Sequence, residues 1–190
     1  MPSNGSCCFT GHRPHRFPFS PDGLRPEHVR IALGQQIRRL YAEGYTTFIS
    51  GMCIGVDMWA AAEVLVLQAK HPEIRLIAAI PFLGQETHWS QGAQREYRRL
   101  LKACQQVEVL SETPEGSADF SACYRRRNTW MVDMADTVLA VHDEDQANFR
   151  SGTSATLRYA RKKHRRIILL HPVSLTVKED IQHQMQFELL

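Results

Sequence analysis

No run in this chain approaches the roughly 18 apolar residues that a membrane-spanning helix needs, so no membrane partner is expected. The opening residues MPSNGSCCFTG lack the basic start and long apolar stretch of a secretory leader, which predicts a cytoplasmic protein. Cysteine is sparse. Cys7, Cys8, Cys53, Cys104 and Cys123 are five in number and include no C-x-x-C pair. That pattern supports neither a disulfide framework nor a zinc knuckle, and it reads as free thiols in a reducing compartment. A strong charge bias is missing too. The net charge of +3 is too small to imply nucleic-acid binding by itself. Internal repeats and low-complexity segments are also lacking.

What is present is the composition of an ordinary globular domain, with 43% hydrophobic and 23% charged residues. A length of 190 residues suits one domain with a substantial core. Short apolar runs alternate with amphipathic stretches, the pattern of a parallel sheet covered by helices. Strands are predicted at Cys7–Phe9, Thr46–Ser50, Leu76–Ile80, Val107–Leu110, Thr137–Val141 and Ile167–Leu170. Helices are predicted from Pro26 to Gly44, Asp57 to Ala69, Ala93 to Cys104, Tyr124 to Met134 and Ser154 to Lys163, with a terminal helix from Val177. The segment with prolines at 14, 18, 21 and 26 reads as an irregular loop. The expected architecture is α/β, a Rossmann-like three-layer sandwich with a mostly parallel sheet of about six strands. One domain is expected over residues 1–175, followed by a tail at 176–190. The helix from Asp57 to Ala69 carries more apolar surface than one sheet face needs, which is compatible with a homodimer.

Ligands bind such sheets outside the carboxyl ends of the strands. Four exits therefore matter: Thr10–Pro14, Ser50–Asp57, Pro81–Trp89 and His142–Thr153. The segment Ser50-Gly51-x-x-x-Gly55-x-Asp57 joins a strand to a helix, where glycines let backbone amides approach an anion. It is neither G-x-G-x-x-G nor a Walker A loop, and a packing turn is the alternative reading. Ser151-Gly152-Thr153-Ser154 offers hydroxyls and amides at a second helix start, with simple capping as its alternative. After the first strand, Arg13 suits a phosphate and His12 suits a ligand hydrogen bond. His12 and His15 lack a third metal ligand, so no metal is expected, and no cofactor.

Arg125-Arg126-Arg127-Asn128 is placed at a helix opening, where three cations should face an anion or solvent. A denser group, Arg158, Arg161, Lys162, Lys163, Arg165 and Arg166, lies toward a helix end. It reads as dipole-favoured surface charge, with a nucleic-acid or acidic-partner face as its competitor. Trp59, Trp89 and Trp130 read as core residues rather than as a stacking series.

Together TGHRP at 10–14, SGMCIGVD at 50–57, PF at 81–82 with Trp89, RNTWMVDMAD at 127–136 and SGTSATLRYA at 151–160 resemble the SLOG superfamily, and most closely its YpsA-like branch. The superfamily takes its name from the Smf/DprA and LOG proteins. The resemblance implies a Rossmann-like fold whose glycine loops bind nucleotide-type ligands, in part as sensors. Gly51, Gly55, Gly152 and Thr153 would contact phosphate, with Ser50, Asp57 and Ser151 in the same loops. Thr10, Gly11, His12 and Arg13 would line the nucleoside side.

LOG proteins are phosphoribohydrolases with an Arg opening a helix and a Gly-Thr-x-x-Glu motif. Arg127 matches that Arg, as the one catalytic candidate if the protein is an enzyme, and Gly152-Thr153 match the Gly-Thr. Position 156 holds Thr instead of Glu. Cleavage through an oxocarbenium-like transition state needs a carboxylate, which here would have to be Asp57 or Glu63. The favoured reading is therefore binding of a nucleotide or nucleotide-derived phosphorylated molecule, as a sensor or regulatory domain. Nucleoside monophosphate cleavage comes second, and DprA-like binding of single-stranded DNA third.

Overall fold

The computed structural model of the chain describes residues 4–112, 120–144 and 151–180. Its first strand, β1 (Gly5–Gly11), alternates its side chains between two cores: Cys7 and Phe9 face one, Cys8 the other. The same alternation continues through β2 (Tyr45–Ser50), β3 (Arg75–Ile80), β5 (Thr137–Val141) and β6 (Arg166–Leu170). Strands buried on both faces read as unbroken apolar runs, which is why the sequence reveals them. β4 (Gln106–Val109) stands at one edge and is largely exposed.

The first core is closed by α1 (Pro26–Ala42), α2 (Val56–Gln68) and α3 (Gln91–Ala103). The second is closed by α4 (Phe120–Asp133) and α5 (Gly152–Lys162). The expected three-layer α/β sandwich is therefore the fold. α2 packs on the sheet between α1 and α3. Val66, on its outer side, is 60% exposed.

The strand order is β4-β3-β2-β1-β5-β6-β7, parallel from β4 through β6. From β1 the chain runs outward to β4, then returns across the sheet to β5 on the other side of β1. The strand order thus reverses between β1 and β5, and their carboxyl ends diverge into a crevice.

Four expectations change. Among the described residues the strands number seven rather than about six, because Val177–Asp180 forms β7, antiparallel to β6. This strand stands where the sequence predicts the start of a terminal helix, at Val177. The open edge of β6 supplies backbone partners, and Arg161 and Arg166 bind Asp180 and Glu179, so long-range pairing overrides local propensity. The rest of the expected tail, residues 181–190, lies outside the described residues. α4 begins at Phe120, so Arg125 to Arg127 lie within the helix and not at its opening. The proline-rich loop contains one 3-10 turn, Pro14–Arg16.

Candidate functional site

Outside the carboxyl ends of β1 and β5 lies a cleft of about 380 Å³. Thr10, Gly11, His12 and Arg13 reach it from the end of β1, followed by His15 and Arg16. Cys53, Ile54 and Asp57 reach it from the loop entering α2, and Tyr124, Arg127 and Asn128 from α4. Ser151, Gly152 and Thr153 close it at the start of α5. Sequence segments far apart are thus gathered at one rim, and their meeting place is the switch point of the sheet.

The two expected loops behave differently. Ser50 is fully buried beneath the cleft, donating to the Asp57 carbonyl at 2.8 Å and accepting from the Met52 amide at 3.1 Å. Neither Gly51 nor Gly55 lines the cleft. A Cβ at Gly51 would overlap the Arg127 guanidinium and stand 2.6 Å from Asp57 Oδ2. Gly55 has φ +102°, and a Cβ there would lie 2.8 Å from the His12 carbonyl. Both glycines serve close packing, the alternative that the sequence left open. Asp57, in the first turn of α2, is the anion this loop holds.

Arg127 is 4% exposed and Asp57 8% exposed, so neither charge is free to hydrate. Arg127 Nη1 donates to Asp57 Oδ2 at 3.3 Å, and Nη2 donates to Cys53 Sγ at 3.4 Å. Its Nε has no hydrogen-bond partner among the described residues. Burial pushes the Asp57 carboxyl above the usual carboxylate range, while the adjacent guanidinium pulls it back. The signal for Arg127 lies in spacing: Tyr124, Arg127 and Met131 fall on one helical stripe, with Arg125 and Arg126 exposed beside it. Glu63, the other carboxylate considered from sequence, faces α1, where Arg30 approaches it at 3.6 Å.

At the start of α5, Ser151 caps the helix by accepting from the Ser154 amide at 3.1 Å. Gly152 and Thr153 occupy the first turn, whose amides have no acceptor within the helix. A Cβ on Gly152 would meet nothing within 4 Å, because this position opens onto the cleft. Thr156, at the position of the LOG Glu, turns its hydroxyl to the Gly152 carbonyl at 2.9 Å and is 4% exposed.

His12 is buried, with Nε2 lacking a hydrogen-bond partner among the described residues. Asp143 Oδ1 stands 3.7 Å from it, and the ring of His142 is centred 5.0 Å away. His142 accepts from the Glu144 amide through Nδ1 at 2.8 Å and shares Nε2 with Ser154 Oγ at 3.0 Å. Burial lowers the pKa of both histidines below the ordinary imidazole value. The sequence marks the strand exit that begins at His142 but singles out neither His142 nor Asp143 as a site residue; the β1–β5 pairing brings them to His12.

The basic group near the end of α5 is largely consumed in local pairs. Arg161 meets Glu144 and Asp180, and Lys163 pairs with Asp133 at 2.9 Å. Arg165 donates to the Asp133 carbonyl, and Arg166 meets Glu43 and Glu179. Trp59 packs near Phe17 and Phe19, Trp89 against Tyr97, and Trp130 beside the second core. Among the described residues, no helix is long and apolar enough to cross a membrane.

The model of a family described as the YspA SLOG family matches residues 7–175. A UPF0398 protein of Halalkalibacterium halodurans is 31% identical over 179 residues, covering 90% of this chain and 91% of that protein. The SPbeta prophage-derived protein YoqJ of Bacillus subtilis is 33% identical over 162 residues, covering 80% of this chain and 91% of its own. DNA processing protein A (DprA) of Streptococcus pneumoniae has a similar fold, with TM-score 0.56 and 16% identity over 87% of this chain. The Helicobacter pylori DprA gives TM-score 0.58 and 17% identity over 87% of this chain. This chain spans 50% and 65% of those two DprA chains.

Proposed function

The chain belongs to the YspA SLOG family, and from that premise we propose that its cleft binds a nucleotide or nucleotide-derived phosphorylated molecule as a sensor or regulatory domain. The observation that carries this reading is the electrostatics of the cleft. Arg13, Arg16 and Arg127 line it, and the one lining carboxylate among the described residues, Asp57, is already paired with Arg127. Arg13 and Arg16 add positive charge beside the first-turn amides of Gly152 and Thr153, which have no acceptor within α5, at the positive end of that helix. The phosphate belongs there, and the nucleoside lies along Thr10 to His12. A volume of about 380 Å³ suits a mononucleotide-sized ligand.

Thermal-shift and calorimetric titrations with AMP, ADP-ribose, NAD and cyclic nucleotides test the proposal. At least one should raise the melting temperature, and adenosine without phosphate should not. Failure of every phosphorylated compound overturns it.

Catalytic cleavage has less support. The LOG carboxylate is replaced by Thr156, whose hydroxyl is turned to backbone, and Asp57 is held by Arg127. Base release from a monophosphate, abolished by Arg127→Ala in a folded variant, would reverse that preference. The Helicobacter pylori protein named above is described as binding single-stranded DNA. For this chain, salt-dependent oligonucleotide binding lost on changing Arg161 to Arg166 would favour the same partner.

A further inference from the structure

We propose that His12, His142 and Asp143 form a site for one divalent transition-metal cation of the zinc class, at the β1–β5 edge of the cleft. Each offers one donor atom, and the three atoms lie within 4.8 Å of one another. Asp143 Oδ1 is 3.7 Å from His12 Nε2 and 3.9 Å from His142 Nδ1. Ligand bonds of about 2.0–2.2 Å in a tetrahedral site put donors roughly 3.3–3.6 Å apart, so small rotations close the set.

The state of each donor agrees with this role. His12 Nε2 is buried without a hydrogen-bond partner among the described residues, which is costly for an imidazole unless something occupies the space beside it. In His142 the Glu144 amide marks Nδ1 as the unprotonated nitrogen, so Nε2 carries the proton and donates to Ser154 Oγ. An imidazole held through its far N–H has the outer hydrogen bond common to metal-binding histidines, and Nδ1 lies 3.9 Å from the Asp143 carboxylate. The cation would take the Nδ1 lone pair from the Glu144 amide.

Charges around the site are mixed. Asp143 and Glu144 favour a cation, Arg16 opposes it, and Arg161 is engaged by Glu144 and Asp180. Two imidazoles and one carboxylate select zinc, cobalt or nickel over magnesium and calcium, which prefer all-oxygen sites. Three protein donors leave a coordination position open. His12 lines the cleft, so that position faces whatever the cleft holds.

The full chain, stripped with a chelator, is titrated with Co²⁺ and Zn²⁺ alone by calorimetry and visible absorption. The expected result is one equivalent bound, cobalt d–d bands without thiolate charge transfer, and a shift of the Glu144 amide resonance. Asp143→Asn, at a side chain 26% exposed, should keep the fold and weaken binding by roughly tenfold or more. His142→Ala should weaken it further, while His88→Ala, an exposed histidine elsewhere, should bind as the parent does. Absence of stoichiometric binding overturns the proposal. So does a thiolate band, which would indicate Cys53, and so does undiminished binding by a folded Asp143→Asn variant. No nucleotide enters the measurement, so its failure leaves the reading of the cleft standing.

Discussion

The Arg127 guanidinium reaches Asp57 at 3.3 Å through the space that a side chain at Gly51 would fill. α2 and α4 lie on opposite faces of the sheet, so this pair ties the two outer layers together over the strand ends. A buried ion pair is costly to make and more costly to break, because removing one partner leaves the other charge stranded.

Arg127→Met should therefore destabilise the fold by about 3–5 kcal/mol, and Asp57→Asn combined with it should recover part of the loss. Urea denaturation of the two single variants and the double variant measures the coupling. Independent, additive losses would contradict the pairing.

Gly51→Ala and Gly152→Ala should have opposite characters. At Gly51 a methyl group collides with Arg127 and Asp57 and should cost more than about 2 kcal/mol. At Gly152 the methyl enters open space, so the melting temperature should hold or rise slightly. The same methyl narrows the approach to the first turn of α5, and affinity for a phosphorylated nucleotide should fall by roughly tenfold, about 1.4 kcal/mol. Melting curves and calorimetry on the same samples separate the two effects.

Acid should weaken the cluster that secures β6 and β7. A hydrogen bond from Arg166 holds Glu43 below the ordinary carboxylate range. A depressed carboxylate contributes stability above its ordinary pKa and loses it as pH falls through the folded value. The pair is partly exposed, so Glu43→Gln should cost less than about 1 kcal/mol at pH 7. That difference should shrink as pH falls below the ordinary glutamate value and be lost once pH passes through the lowered folded one. Denaturation midpoints of parent and variant across that range provide the check.

His164 follows the C-cap of α5 with φ 55°, a left-handed position that favours glycine. His164→Gly should relieve strain worth about 1–2 kcal/mol while adding about 0.5–1 kcal/mol of unfolded-state entropy. A net gain of up to about 1 kcal/mol should appear as a higher melting temperature. A lower one would show that the imidazole's own contacts outweigh the backbone.

Much of the fold was legible because burial on both faces writes itself into the chain as apolar runs, as at Thr137–Val141 and Leu76–Ile80. β7 was not legible: Val-Lys-Glu-Asp carries no apolar pattern, and its pairing depends on β6 and two arginines. At the cleft, the segments Thr10–Arg13 and Ser151–Thr153 stood out through local turn and capping chemistry. Tyr124 and Asn128 did not, because a helical stripe declares a buried face without saying what it meets.

The chain by itself determined the sandwich, its strand exits and its family, since periodicity and short motifs are local properties of neighbouring residues. Tertiary structure alone decided which exits meet. The strand order reverses between β1 and β5, and that reversal turns separate loops into one cleft. It also decided that Gly51 and Gly55 pack against Arg127 and the His12 carbonyl, while Cys53, Ile54 and Asp57 of the same loop reach the cleft. Close approach of side chains separated by 70 positions is a property of packing, and only the packed chain contains it.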